Sequence, residues 1–190
     1  MFGSYHATLS PFMVADEPSV TLTTTYKAII PTLRYTEKLP VAWFDQFAGR
    51  ILELKAFGRL TTSTSPGNLQ VGILFGSNAD NIGTNIGQTA AKALVASQSN
   101  VSWSLNAIVR TDAVCSGSGS NGKLFACGEF KIGSQIIAST NQPMLLPDSA
   151  AAETSSLDLT GTSVPSIQML ASAGASITCI VHHFQLNEQN

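Results

Sequence analysis

Residues 51–60 read ILELKAFGRL, and this stretch indicates the fold more directly than any other part of the chain. Every even position holds an apolar residue or glycine, whereas positions 53, 55 and 59 hold charged side chains, alongside Ile51 and Phe57. Side chains of a β-strand alternate between its two faces, so the pattern predicts a strand with one buried and one largely polar face. A register slip of one residue would turn the apolar row to water, which makes the pairing of such a strand well specified.

The same alternation recurs in VSWSLNAIVR at 101–110 and in KLFACGEFKI at 123–132. Further strands are predicted from β-branched and apolar composition at 19–30, 69–76, 88–96, 165–173 and 176–186. The residues predicted to be buried are Leu52, Leu54, Val71, Ile73, Trp103, Leu105, Leu124, Phe130, Ile177 and Cys179.

Few windows show a helical period, and the one predicted helix is a short one at 40–48, with a proline in its first turn and Gly49 at its end. Asn121-Gly122 is predicted to form a type I′ hairpin turn. The pattern predicts an all-β protein, a single antiparallel jelly-roll β-sandwich of about eight strands. The sandwich would comprise residues 19–190, preceded by an extended N-terminal arm over residues 1–18.

Charge and composition exclude several classes of protein. Charged residues make up 12% of the chain, about half of the usual share, and the surface polarity comes largely from 22 Ser and 18 Thr. The net charge is −2, and the basic residues are scattered, with none among the first 26 residues. A nucleic-acid partner is not expected, since phosphate contacts need a basic stripe or arm. No apolar run is long enough for a spanning helix, and the N-terminus lacks the pattern of a secretory signal, so no membrane association is expected.

No pattern of catalytic or metal-ligating residues is found, so the chain is predicted not to be an enzyme and to need no cofactor or metal. Adjacent His182 and His183 would point to opposite faces of a strand and would not ligate one metal together. The polar loop at 78–85 offers oxygens that could suit calcium, although an ordinary surface loop explains it better. The odd number of cysteines, Cys115, Cys127 and Cys179, predicts free thiols from a reducing compartment.

The N-terminal arm carries the candidate interface residues Phe2, Tyr5, Phe12 and Met13 and no basic residue. It is too short to form its own core and too apolar to be a solvated tail. Aromatic and methionine side chains are enriched in interface cores, so the arm is predicted to dock on a neighbouring subunit. The alternative is that the arm packs back on its own sandwich as an extra edge strand.

Four stretches of the chain resemble jelly-roll virion structural proteins of tailed bacteriophages, such as head decoration, cement or tail-associated proteins. The resembling stretches, in order, are LPVAWFDQFAGRILELKAFGRLTTSTSPGNLQVGILFG at 39–76, VSWSLNAIVRTDA at 101–113, GKLFACGEFKI at 122–132 and SLDLTGTSVPSIQMLASAGASITCIVHHFQLN at 156–187. These are strand and turn patterns without catalytic residues, and the first 38 residues have no counterpart.

The resemblance implies a structural component of the virion, with a jelly-roll fold. The expected role is a capsid decoration or cement protein, a homotrimer that clamps neighbouring major capsid protein subunits on the outside of the shell. One alternative is a tail- or fibre-associated protein that binds a host receptor or glycan through the loops at 77–88 and 116–122. Another is a jelly-roll lectin or ligand-binding protein unrelated to phages.

Overall fold

The protein is described by a computed structural model over residues 6–8, 16–30, 39–77, 83–116, 119–133, 143–148, 154–174 and 176–189. Thirteen strands lie in this part of the chain. In chain order they are β1 His6–Thr8, β2 Val20–Thr21, β3 Lys27–Ala28, β4 Ile51–Thr62, β5 Asn68–Gly76, β6 Thr84–Gln88, β7 Lys92–Ala93, β8 Val101–Ala113, β9 Gly122–Ile132, β10 Met144–Leu146, β11 Thr154–Leu157, β12 Val164–Ala171 and β13 Ile177–Gln189.

The strands form two antiparallel sheets. The larger sheet has eight strands along the path β1-β13-β4-β8-β9-β10, with β2 beside β13 and β11 beside β9. The smaller sheet has five strands in the order β3-β12-β5-β6, with β7 beside β5. Among these strands the chain passes between the two sheets six times, because β3, the run β5 to β7, and β12 each lie in the smaller sheet between strands of the larger one. The predicted all-β antiparallel sandwich is confirmed, with more strands than the eight or so expected.

The core lies between the two sheets, and its central strand is β4. This strand is hydrogen-bonded to β13 over residues 51–62 and to β8 over residues 51–60. Its even-numbered side chains turn inward, as the alternation predicted. All ten side chains predicted to be buried are at most 2% exposed. Pairing on both edges thus fixes which face of β4 meets the core.

Two predicted strands are shorter than expected because side chains compete for backbone hydrogen bonds. In 19–30, the Thr23 hydroxyl donates to the Thr25 carbonyl at 3.0 Å, and only β2 and β3 remain on either side. In 88–96, the Thr89 hydroxyl accepts from the Val71 amide at 3.1 Å, and β6 ends just before this residue. The short strands β1, β6, β10 and β11 were not predicted, and β6 lies partly where the sequence predicted a polar loop at 78–85.

The hairpin between β8 and β9 is wider than predicted. Its last register pair is Ala113↔Lys123, and neither Asn121 nor Gly122 has the positive φ that a type I′ turn requires. Instead, the Asn121 side-chain carbonyl accepts from the Ser116 amide at 2.8 Å, so a side chain closes the loop. The predicted type I′ turn is therefore wrong.

The segment 40–48 contains the predicted helix in a reduced form, a 3-10 helix over Trp43–Asp45. Ala42 precedes it with φ 56° and Gly49 follows with φ 87°. Ala42 thus begins the helix, whereas Gln46 after Asp45 still has a right-handed helical conformation, and Gly49 turns the chain four residues beyond Asp45. Trp43 and Phe44 turn into the core with edge-to-face ring packing and centroids 4.6 Å apart.

Gly58 lies in the middle of β4, beside a bulge where the register of β13 shifts between Val181 and His183. A Cβ atom at position 58 would lie 1.9 Å from the Ile180 carbonyl oxygen and 2.9 Å from Cζ2 of Trp103. The strands approach so closely here that no side chain fits.

We expect Gly58→Ala to lower the free energy of unfolding by about 1–3 kcal/mol, the usual cost of overpacking a core. Urea unfolding followed by intrinsic fluorescence would measure the loss. Gly161→Ala is the control, because an added Cβ there meets no atom within 4 Å. Equal losses of stability for Gly58→Ala and Gly161→Ala would contradict the close approach of the strands at Gly58.

Truncation of Leu105, which is 2% exposed, should cost about 2–5 kcal/mol in the same measurement, because it leaves a cavity between the sheets. Leu145→Ala removes the same atoms from a side chain that is 59% exposed, and it should change stability by less than about 0.5 kcal/mol. A loss below half a kilocalorie for Leu105→Ala would mean that the inward face of β8 has been misassigned.

Candidate binding surfaces

The outer face of the larger sheet is formed by side chains turned away from the core. β4 contributes its odd positions from 51 to 59, and β8 contributes its even positions from 102 to 110. Hydroxyl, amide and charged groups dominate this face, in keeping with the polar row of the sequence pattern. We refer to this surface as the outer face.

A depression of about 230 Å³ lies on the outer face where β4, β8 and β9 run side by side. Its outward side chains are Glu53, Asn106, Ile108, Cys127 and Glu129. The register explains the grouping, because Asn106 pairs with Glu129 and Ile108 pairs with Cys127 on the neighbouring strand. The depression therefore combines two carboxylates, one amide and two apolar side chains.

Both carboxylates have a lysine partner on their own strand. Lys55 Nζ lies 2.8 Å from a Glu53 oxygen, and Lys131 Nζ lies 2.5 Å from a Glu129 oxygen. Burial alone would raise the pKa of Glu53, but hydrogen bonds from Lys55 and Asn187 and the positive charge of Lys55 outweigh burial and hold the pKa below its usual value. Glu53 is therefore ionised at neutral pH.

Phe57 stands beside the depression, half exposed on an otherwise polar surface. Its ring stacks on His183 of β13, with centroids 5.0 Å apart and planes 21° from parallel. The stacking holds the ring in place while one of its faces stays open to solvent. On the bulge next to it, the His182 Nδ1 atom lies 2.6 Å from an Asp16 carboxylate oxygen.

A second surface lies at one end of the sandwich, around Arg50. This buried guanidinium is 2.5 Å from Glu188 of β13, donates to the Trp43 carbonyl at 3.0 Å and contacts the Gln46 side chain. Its carbon lies 3.9 Å from the centroid of the Trp43 ring and 5.2 Å from that of Phe47. Arg50 thus fixes segment 40–48 to the larger sheet by charge, hydrogen bonds and ring stacking together.

The anchored segment presents two large apolar side chains to solvent, Val41 at 60% exposure and Phe47 at 46%. Strand β1 lies at the same end, since His6 pairs with Gln189 of β13, directly after Glu188. We call this surface, formed by Val41, Phe47 and β1, the arm end.

The predicted interface residues Phe2, Tyr5, Phe12 and Met13 lie outside the described residues. Within the arm, β1 pairs with β13 of its own chain, and the Glu17 amide donates to the Val181 carbonyl at 2.9 Å. Residues 6–8 thus form an extra edge strand of their own sandwich, which was the alternative prediction for the arm.

Most of the other sequence candidates do not come together in one site. Of the polar loop at 78–85, residues 78–82 lie outside the described part of the chain, as do residues 117–118 of the glycine-rich hairpin loop. Both tryptophans are buried.

The three thiols are free and lie in separate places. The Cys115 sulfur accepts from the Leu159 amide at 3.3 Å, whereas Cys127 faces outward in the depression. Burial raises the pKa of Cys179 to about 12, although the neighbouring Trp103 indole opposes this rise. The Cys179 thiol is therefore uncharged at neutral pH.

The sequence pattern placed Phe57 on the outward row of 51–60 but gave it no role, and the exposure of Val41, Phe47 and Leu145 was not predicted. A signal was present for Phe57, because an aromatic ring in the charged row of 51–60 has no place in the core. Nothing local indicated Phe47, since its exposure follows from the orientation that Arg50 imposes on segment 40–48.

Within the described ranges, no three His, Cys, Asp or Glu side chains are grouped so that they could hold a metal ion. The same ranges contain no helix of the length and apolar character needed to cross a membrane.

Comparison with known proteins gives little guidance. No protein-family model matches the chain, and no curated protein matches it. Among solved structures, the legume lectin-like domain from Entamoeba histolytica aligns over 95% of this chain and 88% of that chain, with a TM-score of 0.28 and 10% sequence identity. A likeness at this TM-score carries no argument about fold or function.

Replacing Arg50 by methionine should cost about 3 kcal/mol of unfolding free energy, because it removes the ion pair with the largely buried Glu188 carboxylate and the hydrogen bond to the Trp43 carbonyl. Arg110→Met is the matched control, since Arg110 is 46% exposed and pairs with Asp112 on its own strand. Such an exposed pair contributes less than about 1 kcal/mol. Chemical denaturation of both variants would measure the difference, and similar small losses would show that solvent reaches Glu188 freely.

Proposed function

We propose that this chain is a structural virion protein, a capsid decoration protein that clamps neighbouring major capsid protein subunits from outside the shell. The sequence resemblance to jelly-roll virion proteins of tailed phages gives the class. The arm end is the surface that we propose contacts the capsid. In the proposed setting, the protein acts as a homo-oligomer, with a trimer favoured because decoration sites lie on threefold positions of a shell.

The observation that supports this role most is the rigid presentation of Val41 and Phe47 beside β1. In this role the two exposed apolar side chains would form the apolar core of the interface, with polar groups around it. Arg50 holds the segment through contacts with Trp43 and Glu188. A preorganised segment loses little conformational entropy on binding, so more of the contact energy remains as affinity.

The N-terminal arm belongs to the same surface in this proposal. Strand β1 starts at His6, opposite Gln189, so the chain enters the sheet at the arm end. Phe2 and Tyr5 precede this point in the sequence, and we propose that they contribute contacts to the capsid next to Val41 and Phe47. Many copies on one shell would convert modest contacts into firm attachment, since adjacent subunits are engaged together.

The test is co-sedimentation with particles of the encoding phage prepared without this protein. We expect the double variant Val41→Ser/Phe47→Ser to lose about tenfold or more in capsid affinity, because a few apolar side chains dominate such interfaces. Phe57→Ser is the matched control, as it removes an equally exposed ring from the outer face. Undiminished binding of the double variant, or equal loss in the control, would overturn the assigned surface.

Stoichiometry separates decoration from a role at the tail. Quantitative mass spectrometry of purified virions should find this chain in numbers comparable with the major capsid protein. A handful of copies per particle would instead support the alternative of a tail- or fibre-associated protein. Deleting residues 1–8 tests the arm while leaving the Asp16–His182 and Glu17–Val181 contacts in place, and we expect it to weaken capsid binding with little change in melting temperature.

A further inference from the structure

The outer face carries charged, amide and apolar groups that take no part in the proposed capsid attachment at the arm end. Its depression holds the carboxylates of Glu53 and Glu129, the amide of Asn106 and the apolar side chain of Ile108. Carboxylates only accept hydrogen bonds, so a molecule bound here must bring donors. Among the described residues the Asn106 amide has no hydrogen-bond partner, and it offers both donor and acceptor to a ligand.

The charges of this site favour a neutral ligand. Each carboxylate is paired with a lysine on its own strand, Glu53 with Lys55 and Glu129 with Lys131. Two negative and two positive charges leave no net charge to attract a cation or an anion. A flat apolar partner would strip water from all four charged groups, which costs free energy without replacement bonds.

Apolar platforms flank the depression on two sides. Phe57 lies on β4, one row away from Asn106, and its ring is 50% exposed and held by His183. Leu145 lies on β10, directly opposite Glu129, and is 59% exposed. Three strand spacings and one row separate the two side chains, which places them about 15 Å apart. Asn106 and Glu129 lie between them, whereas Glu53, Ile108 and Cys127 lie one row to the side.

From this arrangement we infer that the outer face binds a neutral oligosaccharide of a few sugar rings. Sugars carry hydroxyl donors for Glu129 and Asn106 and have apolar C–H faces that lie flat on an aromatic ring such as Phe57. An extended chain of rings matches the line that runs from the aromatic ring of Phe57 past the polar groups of Asn106 and Glu129 to the aliphatic side chain of Leu145. This inference goes beyond capsid attachment and does not depend on it, because the two surfaces share no residue.

The site is shallow, so a single copy binds weakly. Repetition on an oligomer or a shell would raise the overall avidity for a glycan-covered surface without any new contact.

Nitrogen-15-labelled protein would be titrated with four neutral trisaccharides: maltotriose, cellotriose, chitotriose and mannotriose. We expect at least one of them to shift the Asn106 side-chain amide signals and the backbone signals of Glu53, Phe57 and Glu129. Phe57→Ser should weaken that binding about tenfold, the value of one aromatic stacking contact. Asn106→Ala should weaken it as well, whereas Val41→Ser/Phe47→Ser should leave it unchanged.

Several outcomes would overturn the inference. One is the absence of shifts at these positions with all four trisaccharides, and another is binding that Phe57→Ser leaves unchanged. Preference for charged sialyllactose over the neutral sugars would refute the ligand class. Capsid binding that depends on Phe57 but not on Phe47 would make the outer face a protein interface instead. Melting temperatures of the variants show that each is folded, and since Phe57 and Asn106 are exposed, both variants should match the parent protein.

Discussion

The structure depends on the pairing of β4 along both of its edges. With β13 on one side and β8 on the other over most of its length, this strand has no freedom to slip or rotate. The alternation of side chains along β4 then fixes which of them point into the core and which point outward. Leu52, Leu54 and Leu60 must fill the core, and Glu53, Lys55 and Phe57 must form the outer face. The outer face, with its charged and amide groups, is therefore formed by the opposite side of the same strand that builds the core.

Sequence reasoning succeeded where the determinant is local. The alternation around Leu54 and Leu105 predicted both the strands and their buried rows, because burial of every second residue is a property of one strand and one core. Prediction from the sequence failed where a contact with a residue distant in the chain determines the local structure. Arg50 takes its position from Glu188, 138 residues away, and no pattern near either residue indicates the pair. The loop after β8 failed for a related reason, because the Asn121 side chain bonds to Ser116 rather than forming a turn through its backbone.

The arm end and the outer face differ in the interactions that form them. At the arm end, a buried charge holds exposed apolar groups rigidly, so binding there would rest on shape and apolar area. On the outer face, lysine partners on the same strands neutralise the carboxylates, so binding there would rest on hydrogen-bond geometry and one open ring. Glu53, Glu129 and Asp112 each pair with a basic residue two positions away on the same strand, and the Ser and Thr hydroxyls supply much of the remaining polarity. The result is a surface that attracts no particular charged partner over long distances.

The pairing of β1 with β13 makes the described chain nearly circular. His6 and Gln189 are neighbours in the sheet, so a short linker between them would form an ordinary hairpin, and the chain could then be opened at the exposed turn around Ser63. In that rearranged order the paired residues of β4 and β13, now 115 to 138 positions apart in the chain, would be separated by about 50 to 70 positions. The pairs of β4 with β8, now 41 to 59 positions apart, would be separated by more than about 120 positions. Folding rates fall as the average sequence separation of native contacts grows, because long loops must be closed before their contacts form. A circular permutant of this kind would therefore exchange one long-range pairing of β4 for another, and it should reach the same sandwich with little gain in folding rate.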